Sequence, residues 1–321
     1  MGNVMKFLRC AAVFFSLVSL LFSGEIVTPT AVIATSEFGE VDVFGDGNLS
    51  ATFVTNLIDG SGLVNEDGTP CTEDAETKCF HDFDANSLTM WGAGSFDAGI
   101  ANGETSEELD PPNVDNQIVE FDLGRRVRLT HAHIWQNNQG GAFGALAPRR
   151  GVEEFEFLVS QSTTGDFVSV GTFTLEPELG EENVPAQVIA VDGGALEGVR
   201  RVRFNINTVT SPDPIPEPPH PEFEFVGLSE VRFEAGILGD ADLDGTVAFA
   251  DFLLLSFNFG DPAGWGEGDF DFNGQVSFAD FLILSSRFGE TGIAAQTVPE
   301  PTAALMLSSV LFAASYFRKH R

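Results

Sequence analysis

Apolar and polar residues alternate along several short stretches between residues 36 and 236. Residues 118–123, 154–159 and 201–206 place apolar side chains at every second position, with charged or polar residues between them. A period of two predicts strands that bury one side and expose the other. Pairs such as Asp59-Gly60 mark turns between the strands, and no long helical pattern intervenes. The pattern therefore predicts a β-sandwich for residues 36–236.

After residue 238 the pattern changes to two copies of one segment. Asp240 and Asp269 open the copies 29 positions apart, and each acidic loop is followed by a short apolar stretch. A fixed offset of this size indicates a repeated structural unit. Residues 249–260 and 278–289 each end at glycine, as short helices commonly do. We therefore expect two loop-helix units.

The acidic residues of each loop follow the spacing of a calcium-binding loop. Oxygen-bearing side chains fall at loop positions 1, 3, 5 and 12, and position 7 adds a backbone carbonyl: Asp240, Asp242, Asp244, Thr246 and Asp251, then Asp269, Asp271, Asn273, Gln275 and Asp280. Ca²⁺ takes about six to eight oxygen ligands, and a glycine at position 6, here Gly245 and Gly274, permits the sharp turn. A solvated acidic loop is the alternative, but two copies in register favour two calcium ions.

Neither loop is preceded by an amphipathic helix, so each unit is half of an EF-hand. The segment 238–292 resembles the dockerin family, whose two units pack as an antiparallel pair and bind cohesin modules. The resemblance implies the paired fold, two calcium ions and a cohesin-like partner. Dockerins often carry small hydroxyl residues at loop positions 10 and 11, whereas this chain has Phe249-Ala250 and Phe278-Ala279. That departure leaves the partner open.

A second resemblance covers residues 40 to 235. Its ordered pieces are the segment 56–61 with its Asp-Gly turn, Trp91, and residues 118–124, 151–160, 199–204 and 227–231. This order is similar to the discoidin or coagulation-factor type C family, a galactose-binding-like jelly roll. The resemblance implies carbohydrate or lipid binding at one end of the sandwich. It also implies a structural Ca²⁺ held by Asp59 and Glu230, which would be a third ion.

The residues 135–150 join two predicted strands and carry the candidate ligand-binding side chains. They offer an aromatic face, amides and guanidinium groups, the mixture that sugars require: Trp135, Asn137, Asn138, Arg149 and Arg150. The alternative places Trp135 in the core and pairs the arginines with nearby acids. Both interpretations remain open from sequence.

Charge and motifs limit the function classes. The 321 residues carry a net charge of −32, which disfavours nucleic-acid binding. No nucleophile elbow, phosphate loop or zinc-protease motif occurs, and with so many acids no glycosidase pair can be nominated. His131 and His133 lie two apart, but no third metal ligand follows at a fixed spacing, so we do not expect a transition metal. Cys71 and Cys79 are expected to form a disulfide.

The ends of the chain read as export and sorting signals. Residues 1–34 have a basic start and an apolar run too short to span a bilayer, with cleavage after Ala34 or Gly24. A spacer at 293–301 ends in Pro299, Glu300 and Pro301, ahead of an apolar membrane helix at 302–317 and a basic tail at 318–321. This order resembles the PEP-CTERM sorting signal of bacteria, which implies an exosortase-type enzyme as partner. An ordinary tail anchor is the alternative.

The sequence thus predicts a mainly β protein: a galactose-binding-like jelly-roll β-sandwich, a small α dockerin-like pair of half EF-hands and a C-terminal membrane helix. We expect an exported, non-enzymatic protein of the cell surface or extracellular matrix that binds a carbohydrate or another surface ligand and docks a partner. One alternative is a component of a polysaccharide-degrading system that acts on glycosidic bonds. The other is a structural matrix protein without a small ligand.

Overall fold

The computed structural model describes residues 24–35, 40–41, 50–51, 53–61, 63–65, 69, 71, 79–81, 91–94, 117–137, 151–178, 184–191, 196–209 and 225–292. The candidate residues Asn138, Arg149, Arg150, Pro299, Glu300 and Pro301 lie outside these ranges, as do the apolar segments at both chain ends. In the described part of the chain, no helix has the length and apolar character needed to cross a bilayer.

Two five-stranded antiparallel sheets form the larger part of the protein. The long strands contain the three alternating stretches predicted from sequence. The strands are β1 Glu25–Val27, β2 Ala31–Ala34, β3 Glu40–Val41, β4 Ser50–Ala51, β5 Leu63–Val64, β6 Phe80–His81, β7 Trp91–Gly94, β8 Ile118–Val127, β9 Leu129–Gln136, β10 Val152–Ser160, β11 Val168–Thr174, β12 Val184–Pro185, β13 Gln187–Ala190, β14 Val199–Val209 and β15 Phe225–Ala235.

The first sheet has the order β1-β15-β9-β13, with β7 also paired to β15. The second has the order β11-β10-β14-β8-β2, and two smaller sheets pair β12-β6-β5 and β3-β4. Residues 24–34, which the sequence analysis placed in the signal segment, supply β1 and β2 at one edge of each large sheet. The sandwich therefore includes residues on both sides of the expected boundary at residue 34.

Phenylalanine rings fill the space between the two sheets. Phe204 of β14 lies 5.3 Å from Phe121 of β8 and 4.6 Å from Phe155 of β10, measured between ring centroids. Phe233 of β15, in the opposite sheet, lies 5.4 Å from Phe121. Rings of this kind bury a large apolar area and carry no hydroxyl that needs a partner. These aromatic contacts therefore join the two sheets through the interior of the sandwich.

Two helices follow the sandwich, α1 Phe249–Phe257 and α2 Phe278–Arg287. Their apolar core, which includes Val247, Leu255, Trp265, Val276 and Leu284, is separate from that of the sandwich. The chain passes from β15 into this core without an intervening linker, since Ala235 belongs to one core and Ile237 to the other.

The two loop-helix units are related by an approximate two-fold arrangement. Val247, after the first loop, exchanges backbone hydrogen bonds with Gly289 and Glu290 beyond α2. Val276, at the equivalent place after the second loop, does the same with Gly260 and Asp261 beyond α1. Each loop is thus anchored by backbone hydrogen bonds to the end of the other unit.

Candidate metal centre

The carboxylates of the first acidic loop converge on one point. Single oxygens of Asp240, Asp242 and Asp244 all lie within 4.8 Å of one another. Asp240 is fully buried, whereas Asp242 and Asp244 are exposed. Three carboxylate oxygens at this separation can contact one cation, and hard oxygens are the ligands that Ca²⁺ takes.

The second loop repeats this geometry with a different third member. Oxygens of Asp269, Asp271 and Asp280 lie within 4.8 Å of one another. Asn273, at position 5, accepts a hydrogen bond from the amide of Gln275 through its Oδ1, at 2.9 Å. The corresponding contact in the first loop runs from the amide of Thr246 to Asp244 Oδ1, at 2.8 Å. The two loops therefore share a backbone path as well as a ligand spacing.

Left-handed backbone at two positions turns each loop inward. Leu243 and Gly245 have φ values of 57° and 88°, and Phe272 and Gly274 have 58° and 87°. Glycine adopts this region without steric cost, while Leu and Phe are strained in it. The turn lets Gly245 and Gly274 donate backbone hydrogen bonds, both 2.8 Å long, to the position-1 carboxylates of Asp240 and Asp269.

The position-12 aspartates tie each loop to the helix that follows it. Asp251 accepts hydrogen bonds of 2.7 Å from the amides of Ala241 and Ala248, at the start of the loop and just before α1. Asp280 accepts bonds of 2.9 Å from the equivalent amides of Phe270 and Ser277. Both carboxylates are fully buried. Because they lie in the first helical turn, they also satisfy amide groups that the helix leaves unpaired.

Thr246 and Gln275, expected to offer backbone carbonyls, lie where each loop leaves the candidate site. Thr246 forms an isolated antiparallel bridge with Thr291, and Gln275 forms one with Pro262. The Gln275 side chain donates to the Gly260 carbonyl at 3.0 Å. These contacts fix the backbone at position 7 of both loops in the same environment.

Burial and neighbouring carboxylates disfavour ionisation of the position-1 aspartates of both loops. Burial raises the pKa of Asp240 to about 7, and the neighbouring carboxylates of Asp251, Asp242 and Asp244 add to the rise. Burial likewise raises the pKa of Asp269, with contributions from Asp280 and Asp271. The sequence from Asp240 to Asp280 contains no Lys, Arg or His. A divalent ion fits this donor set, because it would favour the ionised form of every carboxylate.

The third calcium site, which was expected in the sandwich, contains an arginine side chain beside Glu230. Glu230 is fully buried and accepts a hydrogen bond from the amide of Gly60 at 3.0 Å. Its other oxygen pairs with Arg232, whose guanidinium also donates to the Ile58 carbonyl at 2.8 Å. Asp59 is exposed, and its Oδ1 accepts from the amide of Ser61. A guanidinium thus occupies the place beside Glu230, and these residues do not fit a metal ion.

Trp135 does not offer an open face for a sugar. It is 2% exposed, packs with Leu63 and Cys79, and donates from its indole nitrogen to the Cys79 carbonyl at 3.1 Å. Asn137 is also buried, next to Gln136. The stacking role considered for Trp135 therefore does not fit the structure, and the alternative, a core position, does. Cys71 and Cys79 form the expected disulfide.

Two features of the structure were missed by reasoning from sequence. Glu234 on β15 lies between His131 and His133, at 3.4 Å and 3.2 Å from their ring nitrogens, so its carboxylate is the partner of the His-x-His pair. The second feature is a row of four rings across the helices, in the order Phe249, Phe252, Phe281 and Phe278, with centroids 5.8 Å, 6.3 Å and 5.8 Å apart. The offset of 29 residues relates both pairs, and this signal could have identified the row.

Comparison with known proteins gives matches in structure only. No protein-family model and no curated protein matches the chain. Among solved structures, the chain is similar to a putative chitobiase fragment from Bacteroides thetaiotaomicron, with 16% identity, a TM-score of 0.37, and coverage of 70% of this chain and 98% of that one. It is also similar to an F5/8 type C domain from Bacteroides fragilis, with 14% identity, a TM-score of 0.34, and coverage of 67% and 99%. A further match is the family 32 carbohydrate-binding module of a Clostridium perfringens protein in complex with galactose, with 14% identity, a TM-score of 0.33, and coverage of 65% and 98%.

Proposed function

We propose that residues 238–292 bind two calcium ions and, once loaded, present the outer faces of α1 and α2 to a partner protein. The observation that carries this proposal is the convergence of three carboxylates in each of two loops that contain no basic residue. An unpaired cluster of carboxylates is costly, and a divalent cation removes that cost. Because the ions would bind the folded loops only, their binding energy would contribute to folding.

The proposed docking face consists of the exposed apolar residues that the repeat duplicates: Phe249 and Phe278, Leu253 and Leu282, and Phe259 and Phe288. The side chains of Phe249 and Phe278 are 61% and 62% exposed, and those of Phe259 and Phe288 are 53% and 56% exposed. Apolar side chains gathered on one face of a protein mark contact sites. The half-buried rings of Phe252 and Phe281 join the two halves of this face.

Calcium and docking are linked through the position-12 aspartates. Asp251 and Asp280 hold the first turns of α1 and α2 to the loops, while Phe249 and Phe278 lie two positions earlier on the same helices. An ion in each loop would therefore fix the orientation of the docking face. The partner we propose is a protein domain with a complementary apolar surface, of the cohesin-like type that the dockerin resemblance implies.

Calorimetric titration of the full chain with CaCl₂ tests the metal proposal. We expect two ions per chain, one in each of the single variants Asp240→Asn and Asp269→Asn, and none in the double variant. Asp261→Asn is the matched control, since Asp261 is an exposed acid between the loops and should leave two ions. Unchanged stoichiometry in the double variant would contradict the proposal. If a third ion bound and were lost in Glu230→Gln, the result would contradict only the conclusion that Arg232 and not a metal ion lies beside Glu230.

Binding to a panel of cohesin domains tests the docking proposal. We expect binding that requires calcium and that Phe249→Ser together with Phe278→Ser reduces by at least about a hundredfold, as loss of two central anchors does. Ile33→Ser, at a 64% exposed position on the sandwich, is the control and should bind normally. Binding that survives both a chelator and the paired substitution would contradict the docking face.

For the sandwich we propose carbohydrate as the ligand class, and export to the cell surface with sorting through the Pro299–Pro301 segment as its setting. The fold supports this proposal only as a scaffold of two five-stranded sheets, and the ligand class itself rests on the discoidin resemblance. A glycan array tests it. Calcium-independent binding of a sugar would support it, release of reducing ends from a polysaccharide would favour the glycosidase alternative, and calcium-dependent self-association without sugar binding would favour the structural alternative.

A further inference from the structure

Residues 24–35 complete the sandwich at one edge of each large sheet. In β1, Glu25 and Val27 pair with Ala235 and Phe233 of β15. In β2, residues 31–34 pair with β8. Val27 and Val32 are 5% and 8% exposed and belong to the main core. Removal of a leader by cleavage after Ala34 would delete both strands, so the geometry excludes that position as the start of the folded domain.

Gly24 occupies a closed site just before β1. It is buried, and its backbone nitrogen lies 3.1 Å from Oε1 of Glu234. A Cβ added at this position would lie 2.4 Å from the Ala235 carbonyl oxygen and 2.7 Å from Cγ of Glu234. Contacts this short do not occur in folded proteins. Only glycine fits, and it brings its nitrogen against a carboxylate.

Glu234 is a buried acid that is held in its ionised form. It is 2% exposed, and its other oxygen contacts His131 and His133. Burial raises its pKa, but the hydrogen bonds and charges of the two imidazoles outweigh burial and lower the pKa to about 2. The group is therefore ionised at neutral pH. A buried charge without a full counter-charge is strongly unfavourable, whereas a paired one is tolerated.

We infer that the export peptidase cleaves the bond between Ser23 and Gly24, and that the new α-ammonium of Gly24 forms a buried ion pair with Glu234. In this hydrolysis water adds its hydroxyl to the Ser23 carbonyl carbon and a proton to the Gly24 nitrogen, and the leader departs as a carboxylate. An α-amino group has a pKa of about 7.7–8.0, so it takes up a second proton at neutral pH. The inference rests on the proposed export of the chain.

Cleavage would place a positive charge on the Gly24 nitrogen, which already lies beside the Glu234 carboxylate. Before cleavage Gly24 is a neutral amide that donates one hydrogen; afterwards it is a cation beside an anion in a site of low exposure. The exported sandwich would thus be more stable than the precursor sandwich. An N-terminus at Glu25, as cleavage after Gly24 gives, would remove this contact.

Intact-mass measurement and N-terminal sequencing of the full chain, expressed with its leader and recovered after export, test the cleavage. We expect the first residues to be Gly24, Glu25 and Ile26. A chain beginning at Glu25 or Thr35 would overturn the inference and leave export intact. A chain that keeps its leader and is not exported would overturn the proposed export itself.

A four-protein stability comparison tests the ion pair. The full chain is prepared by specific proteolysis to begin either at Gly24 or with one extra Ser before it, each with Glu234 or with Glu234→Gln. We expect the extra residue to shift the unfolding equilibrium constant of the sandwich by about tenfold in the Glu234 background and by less than twofold in the Gln background. An equal shift in both backgrounds would overturn the ion pair. The same substitution at half-buried Glu25, whose carboxylate pairs with Arg125 and not with Gly24, is the control for loss of an acid near the terminus and should preserve the tenfold shift.

Discussion

The sandwich and the repeat pair handle their acidic residues in opposite ways. In the sandwich, Glu120 of β8 pairs with Arg201 and Arg203 of β14, and Asp122 pairs with Arg200. Buried Glu230 has Arg232 beside it. In the repeat pair, the clustered carboxylates of both loops have no basic residue within the segment that forms them. The sandwich pairs these carboxylates with its own arginines, whereas we propose that the repeat pair takes its cations from solution.

Because of this difference, we expect the sandwich and the repeat pair to unfold under different conditions. The sandwich combines internal ion pairs with a large phenylalanine core, and neither feature involves the proposed calcium ions. The repeat pair has a small core, and two short helices of 9 and 10 residues. Helices of this length are marginal alone. Conditions that remove calcium or weaken packing should therefore affect the two regions selectively.

Calcium removal should produce the largest effect. We expect an excess of chelator to unfold α1 and α2, because the uncompensated carboxylates would then oppose the compact loops. Far-ultraviolet circular dichroism should lose its helical contribution while the thermal transition of the sandwich persists. An unchanged helical signal would contradict the dependence of the repeat pair on calcium.

Truncation of Phe204 to alanine should destabilise the sandwich by about 3–5 kcal/mol, because it removes buried apolar surface and leaves a cavity in the core. Phe204 contacts rings from both sheets, and it is 1% exposed. Thermal unfolding of Phe204→Ala in saturating calcium should show a lowered sandwich transition and calcium binding unchanged at both loops. A matched Phe257→Ala at a 79% exposed position should leave the sandwich transition in place.

Acid should weaken the sandwich through Glu234. Its pKa is about 2 in the folded chain against an ordinary 4.5, so folding favours the ionised form. The stabilisation, about 3 kcal/mol, is present above pH 4.5 and is lost as the pH falls towards 2. Denaturant unfolding of wild type and Glu234→Gln, compared at pH 6 and pH 3, should show a smaller difference at the lower pH. A difference that stays constant with pH would contradict this origin.

The smallest effect should come from the exposed pair of Arg287 and Glu290 at the end of α2. Their side chains lie 3.0 Å apart and are 41% and 44% exposed. Pairs of this kind contribute about 0.2–0.5 kcal/mol. Chemical unfolding of Arg287→Ala in saturating calcium should differ from wild type by no more than this. A larger loss would show that ion pairs also matter in the repeat pair.

Local sequence patterns predicted the strands and the acidic loops. They did not predict which side chains contact one another across the sheets, because those contacts depend on how the strands pair. Alternation located β8, β10 and β14, because buried strand faces require a period of two. Loop spacing located both acidic loops, since their oxygen-bearing side chains lie within twelve consecutive residues. The contact of Glu234 with His131 was not predictable in this way, because it depends on the register between β9 and β15, which lie far apart in sequence.

The start of the sandwich and the exposed sides of α1 and α2 show two further limits of sequence reasoning. The segment Glu25–Val27 follows an apolar run directly, so its polarity gave no sign that it pairs with β15. In α1 and α2 apolar residues occur on several sides, so the period alone could not tell buried Leu255 from exposed Leu253. Trp135 is a residue type that commonly stacks on sugars, but neighbouring side chains cover its ring in this structure.

The central claim, two metal ions in two acidic loops, has a direct optical test in Trp265. Its indole nitrogen donates to the backbone carbonyl of Asp240 at 2.7 Å, and its ring lies 5.3 Å from Phe270 of the second loop. Terbium, which replaces calcium at oxygen sites, should therefore luminesce on tryptophan excitation in the full chain and be displaced by calcium. We predict that Asp240→Asn with Asp269→Asn abolishes this signal although Trp265 remains. A signal of undiminished intensity in that double variant would contradict the account.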